Sequence, residues 1–399
     1  MRQIIAILWI SLMIATSASA EDSAKITALK NDVTKGVEAK SKLSQEIIDS
    51  LFSFSELGFQ EYETQRYISE ILENNDFKVQ KGVAGLPSGW WATWGSGHPI
   101  IALGTDVDGI PKASQKPGVA YKDPLIEGAP GHGEGHNSGL AVHITAALAL
   151  KEVMERDKIP GTIIIWPGIA EELLAGKAFF TREGLFDDVD AVLFTHVDSG
   201  LGVSWGHARG TGLISVEYTF KGEAAHSAGA PWRGKSALDA VELMNAGWNA
   251  RREHLHPLQR SHYIISDGGD QPNVVPQTAS VWYYIREMTA EKILINYEKL
   301  NKTADGAALM TDTTVSHRVV GGAWPRHYNR PMAEAVNDNM TAVGMPIWDE
   351  KDQIFAKAVQ KLADTEQKGL DTEVSGLSAP SEYPVSGGSD DIGDISWLV

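Results

Sequence analysis

Three short runs constrain this chain most: Ile100-Ile101-Ala102-Leu103, Thr162-Ile163-Ile164-Ile165-Trp166 and Ala191-Val192-Leu193-Phe194. A strand with one wet face alternates polar and apolar residues, whereas a strand covered on both faces stays apolar along its length. Helical periodicity separates the runs. Leu43, Ile47, Ile48, Leu51 and Phe54 share one helical face, and further helices are expected at about 62–74, 138–156 and 171–182. Shorter strands fit 77–83 and 89–95. This order predicts an α/β fold with a mainly parallel sheet covered by helices.

The pattern changes near residue 211. A half-buried strand at 213–220, a helix at 235–252, strands at 262–266 and 278–287, a helix at 290–304 and a strand at 312–320 follow. That β-α-β-β-α-β order is the ferredoxin-like arrangement, whose sheet has one open face that often packs on a partner. Helices at 331–343 and 352–364 return to the first style. Residues 211–321 therefore read as an insertion between two parts of one domain, 38–210 and 322–399, and 399 residues suit two domains.

Residues 1–20 read as a secretory signal peptide: Arg2, an apolar stretch from Ile4 to Ala15, then Ser17-Ala18-Ser19-Ala20 before Glu21. The mature protein is expected to be exported, most simply to a bacterial periplasm, with no membrane partner after cleavage. The 52 acidic and 35 basic residues give a net charge of −17, which argues against a nucleic-acid partner. No cysteine is present, so disulfides, thiolate metal sites and cysteine nucleophiles are excluded.

Chemistry collects in four loops at strand ends, where open α/β sheets bind ligands. They carry Asp106 and Asp108, the loop Gly131-His132-Gly133-Glu134-Gly135-His136-Asn137, the pair Glu171-Glu172, and His196. Taken singly, each has an ordinary explanation. An Asp-x-Asp is a common solvated turn, a Glu pair suits a helix start, and a strand-end histidine can serve as a hydrogen-bonded residue. Together, on one sheet edge, imidazole and carboxylate groups favour a site for zinc, manganese or cobalt, and carboxylates can bridge two ions.

From about residue 40 onward the chain resembles the co-catalytic metallo-amidohydrolases, the family of aminoacylases, carboxypeptidase G and auxin-conjugate hydrolases. The likeness is strongest to the aminobenzoyl-glutamate hydrolase branch. It rests on Gly128-Ala129-Pro130-Gly131-His132-Gly133-Glu134-Gly135-His136-Asn137, Ala170-Glu171-Glu172, Thr195-His196-Val197 and the stretch from Ala225 to Trp232. Pro272-Asn273-Val274-Val275-Pro276 and Gly388-Ser389-Asp390-Asp391 complete it. The resemblance implies a metallopeptidase-like catalytic domain with an inserted lid or dimerisation domain, and two divalent ions, zinc or manganese, on Glu134, His136, Glu172 and His196. It makes Glu171 the general base and His226 the residue that stabilises the oxyanion, often across a dimer. Asn273, Arg286, Gly388 and Ser389 would bind a substrate carboxylate.

Two departures stand out. This branch commonly has Cys where Glu134 stands, and the family places a last histidine ligand well downstream of the Ser-Asp-Asp turn. Here no histidine follows Asp391, and Ile395-Ser396-Trp397-Leu398-Val399 reads as the start of a strand in an incomplete chain. If the chain is complete, His132 or Asp106 is the candidate for the missing ligand, and Asp108 is a further accessory residue of the site. Three functions follow: a homodimeric hydrolase of amide bonds beside a free carboxylate, such as aminobenzoyl-glutamate or N-acyl amino acids; an exported dipeptidase or aminoacylase; or a non-catalytic partner subunit with an impaired metal site.

Overall fold

The computed structural model describes residues 23–174, 176–207, 210–380 and 388–399; the proposed signal peptide lies outside them. The chain divides into two compact units. One comprises the residues up to Gln115, Pro124–Ile169 and Asp188–Val197; the other comprises Lys116–Asp123, Ala170–Asp187 and everything from Asp198.

The first unit opens with α1 (residues 23–38), α2 (Ser41–Phe54) and α3 (Tyr62–Glu73). Strands β1 (Lys78–Lys81), β2 (Trp90–Ser96) and β3 (Ile100–Asp106) follow, then α4 (Gly139–Asp157), β4 (Gly161–Gly168) and β5 (Ala191–Phe194). They form one five-stranded sheet in the order β1-β2-β4-β3-β5. Parallel pairing joins β3 to both β4 and β5, the three strands with continuous apolar runs, while β1 and β2 add an antiparallel edge. Helix α4 packs along β3 and β4, and α2 packs on α4. Ile47, Leu51, Ala102, Leu140, Ile144, Ile163, Ile165 and Trp166 are buried there. The strands thus run through a covered core, and the loops beyond their ends carry the polar groups.

In the second unit, α5 (Gly176–Arg182), β6 (Gly202–Ser204) and β7 (Gly206–His207) precede the inserted element. That element is β8 (Gly212–Lys221), α6 (Ala237–Arg251), β9 (Arg260–Asp267), β10 (Thr278–Glu287), α7 (Ala290–Thr311) and β11 (Thr314–Ala323). Its antiparallel sheet runs β11-β8-β10-β9, the ferredoxin-like order. Two-residue periodicity decides the faces. Val216, Tyr218 and Phe220 of β8 and Val281, Tyr283 and Ile285 of β10 pack against Val241, Met244, Trp248, Ile293 and Leu300 of the two helices. Trp282, Tyr284 and Arg286 alternate with them and lie half-buried on the opposite face.

The chain closes with β12 (His327–Tyr328), α8 (Arg330–Val343), α9 (Glu350–Leu362), β13 (Gly376–Ser378) and α10 (Gly393–Ser396). β12 pairs with β7 and β13 with β6, forming two small sheets that the sequence pattern does not announce. Two expectations are corrected. The tail from Ile395 is not the start of a strand: α10 ends at Ser396, with the Leu398 amide donating to the Ile395 carbonyl. Residues 171–182 are not one helix: Glu171–Leu173 form a separate 3-10 turn before α5. Ala170 and Leu174, either side of that turn, take left-handed φ of 53° and 52°. Each costs a side chain about 1–2 kcal/mol.

Candidate metal centre

Within the first unit, side chains from the ends of β3 and β5 and from the loop before α4 converge. Asp106 ends β3 and is fully buried; a Cβ at Gly168 on the neighbouring strand would collide with its carboxylate. His136 is buried, whereas Glu134 and His196 are exposed. His136 Nε2 lies 3.3 Å from His196 Nε2, the two rings meeting edge to face at 81°. Glu134 Oε2 is 3.8 Å from His196 Nε2. One ligand atom each from Asp106, His136 and His196 all lie within 4.8 Å of one another.

The second nitrogen of each ring fixes what the first can do. His136 Nδ1 is 3.1 Å from the Asp108 carbonyl, and His196 Nδ1 is 2.7 Å from the Val197 carbonyl. A carbonyl only accepts, so Nδ1 carries the proton in both neutral rings and both Nε2 atoms present lone pairs. Two lone pairs at 3.3 Å repel unless a cation or a proton lies between them. With a buried carboxylate alongside, this donor set fits a divalent metal ion. Among the accessory candidates, Asp106 belongs to this group. Asp108 backs His136, its Oδ1 being 3.6 Å from Nδ1. His132 directs Nε2 to the Leu51 carbonyl at 3.0 Å, and burial lowers its pKa.

The second unit carries the remaining candidates in two groups. Glu171 is buried on the 3-10 turn, beside Glu172. The turn leads into Leu174, which packs with Leu213 and Ala323 beneath Tyr284. Arg286 lies over the Tyr284 ring at 5.5 Å and donates Nη1–H to Ser389 Oγ at 2.9 Å. Ser389 Oγ also contacts Thr211 Oγ1 at 3.0 Å, and the Gly388 carbonyl accepts from the Thr211 amide. Burial raises the Tyr284 pKa and lowers that of Arg286; the charge of Glu171 raises both. The second group is on the loops around His226 and Asn273. His226 bridges Val274, and the Ser227 amide donates to the Asn273 carbonyl. His226 Nδ1 accepts from the amides of Ala228 and Gly229, both at 3.2 Å, so its proton sits on Nε2.

Sequence reasoning missed Tyr284 and Lys177. Tyr284 was detectable from its register, two residues before Arg286 on one strand face. Lys177, fully buried, pairs with Asp391 and lies 3.4 Å from Asp390, both in the Ser389-Asp390-Asp391 turn. No local pattern reveals partners so far apart in sequence.

Residues 210–307 match the model of a peptidase dimerisation domain of the M20 group. The chain is 36% identical to one subunit of the p-aminobenzoyl-glutamate hydrolase of Escherichia coli over 329 residues, 82% of this chain and 68% of that protein. It is 26% identical to the mouse Xaa-Arg dipeptidase, over 82% of this chain and 74% of the dipeptidase. The fold is shared with an aminobenzoyl-glutamate utilization protein from Klebsiella pneumoniae, at TM-score 0.62 and 19% identity, covering 87% and 92% of the two chains. It is also shared with a dinuclear metal-binding M20 peptidase from Bacillus subtilis, at TM-score 0.53 and 17% identity, covering 90% and 87%. On these relationships, the chain belongs to the M20 family of metal-dependent amidohydrolases and peptidases.

Proposed function

We propose that this protein hydrolyses an amide bond whose leaving amine carries a free carboxylate, with p-aminobenzoyl-glutamate as its substrate. Two divalent ions, zinc or manganese, would be held by Glu134, His136, Glu172 and His196, with Asp106 as a further carboxylate ligand. The observation that carries the reading is the facing Nε2 pair of His136 and His196, each ring pinned through Nδ1 to a backbone carbonyl. Bound there, the ions would polarise the amide carbonyl and supply a water that ionises at about pH 7.

The remaining work falls to the protein's own side chains. Glu171 takes the proton of the attacking water and returns it to the leaving amine. Arg286, oriented by Ser389 and stacked on Tyr284, binds the substrate carboxylate. His226 donates its Nε2–H to the oxygen of the tetrahedral intermediate. The dimerisation-domain match supports a homodimer, and the pattern of residues 1–20 supports export to the periplasm.

The test is hydrolysis of p-aminobenzoyl-glutamate, N-acyl amino acids and dipeptides by the metal-loaded full chain, each substrate paired with its carboxylate-amidated analogue. Only the free acids should turn over, and Arg286→Ala should raise KM by roughly 10- to 100-fold, the loss expected for a charge-assisted pair. Equal turnover of acid and amidated substrates would refute the reading.

A further inference from the structure

A hydrogen-bonded chain lies behind the two strand ends that carry Asp106 and His196. His143 of α4 is buried, with Nε2 3.0 Å from Thr195 Oγ1. The ring also lies against the backbone of Gly104. The Thr195 amide donates to the Gly104 carbonyl at 3.3 Å, and Thr105 Oγ1 donates to the Thr195 carbonyl at 2.9 Å. Burial pushes His143 down to about 4, so the ring is neutral at neutral pH. The neutral ring and the Thr195 hydroxyl then share one hydrogen bond between Nε2 and Oγ1. Helix α4 can approach this closely because residue 139 is glycine: a Cβ there would collide with the Thr105 side chain.

The placement of the threonines gives the network its meaning. Thr105 immediately precedes Asp106, and Thr195 immediately precedes His196. The helix that supplies His143 begins just after the loop that supplies His136. We propose that His143, Thr195 and Thr105 are positioning residues: through them α4 clamps the ends of β3 and β5 at the separation where Asp106, His136 and His196 can hold a metal ion together. The inference rests on the reading of that metal centre. A histidine that merely filled the core would affect folding and leave metal affinity alone.

The two roles separate in metal titrations of the purified full chain. Metal-free protein is titrated with Zn²⁺ against a chromophoric chelator, Co²⁺ is added to record its visible absorption, and unfolding of the metal-free form is measured alongside. Thr195→Val keeps the shape and removes the hydroxyl; it should weaken Zn²⁺ binding about 10- to 100-fold and alter the Co²⁺ spectrum, as loss of groups orienting metal ligands does. Thr195→Ser restores the hydroxyl and should return affinity to within about threefold of the parent on the same reasoning. His143→Leu should act as Thr195→Val does, and if it does not fold, the Thr195 pair decides. Parental Zn²⁺ affinity in Thr195→Val, or equal weakening in the Val and Ser variants, overturns the proposal. His136→Ala tells the two readings apart. If it loses Zn²⁺ while Thr195→Val does not, only the positioning role fails; if it keeps parental affinity, the metal centre falls and the positioning role with it.

Discussion

Asp394 offers a stability test whose sign depends on pH. Its Oδ1 accepts the Trp324 amide at 3.0 Å. Burial first, then the neighbouring Asp391 carboxylate, pushes its carboxyl up to about 7. In an unfolded chain the same group titrates near 3.9. Between about pH 4 and pH 7 the folded protein therefore holds a proton that the unfolded chain has released, so stability falls as pH rises through that window. The full difference, at about 1.4 kcal/mol per pH decade, is about 4 kcal/mol. Residual solvent contact and shared titration with Asp391 reduce this to on the order of 2 kcal/mol. Asp394→Asn keeps an oxygen for the Trp324 amide and removes the titrating charge. It should be the more stable protein by about that amount at pH 8 and match the parent near pH 3, below the unfolded value. Urea unfolding in paired buffers measures both differences, and an unchanged m-value licenses the comparison. An advantage that is the same at both pH values, or absent from both, would mean that Asp394 ionises in the fold as it does in water.

Glu171→Gln should abolish turnover while leaving bound metal nearly unchanged, because an amide cannot shuttle a proton; metal analysis beside activity checks it, and more than about a tenth of parental activity would exclude the general-base role. His226→Ala should lower kcat on the order of 10²-fold without stripping metal. Mixing it with Glu171→Gln should restore some activity if His226 acts across a dimer, and no recovery after verified subunit exchange would place its action within one chain.

The sequence made the repetitive parts of this fold legible and hid those that depend on single dihedrals or distant partners. The apolar runs of β3, β4 and β5 declare double burial, and the alternation in β8 and β10 declares a one-sided sheet, so the ferredoxin-like order followed directly. β7 and β12 have two residues each, too few to alternate. Glu171-Glu172 looked like a helix start because nothing in Ala170 or Leu174 announces a left-handed φ. The five terminal residues are rich in apolar side chains that suit either a strand or a helical turn, and composition alone does not choose. His136, His196 and Glu134 were singled out as candidates because glycine-rich loops and strand ends mark sites locally. Lys177 and Asp391 meet across 214 residues, and only the folded chain joins them.

Leu213, near the start of β8, and Ala323, at the end of β11, are direct cross-strand partners. The polypeptide thus leaves for the ferredoxin-like element and comes back at almost one point, with Cα atoms on the order of 5 Å apart. Such a doorway makes the element modular. A tight turn of about two or three residues could bridge the gap, so excision would leave no long loop to close and no strand ends to re-space. A graft of another compact domain with adjacent termini could enter by the same door. Evolution could trade one such module for another here, changing what the protein assembles with while leaving the five-stranded sheet and its histidine pair as they are.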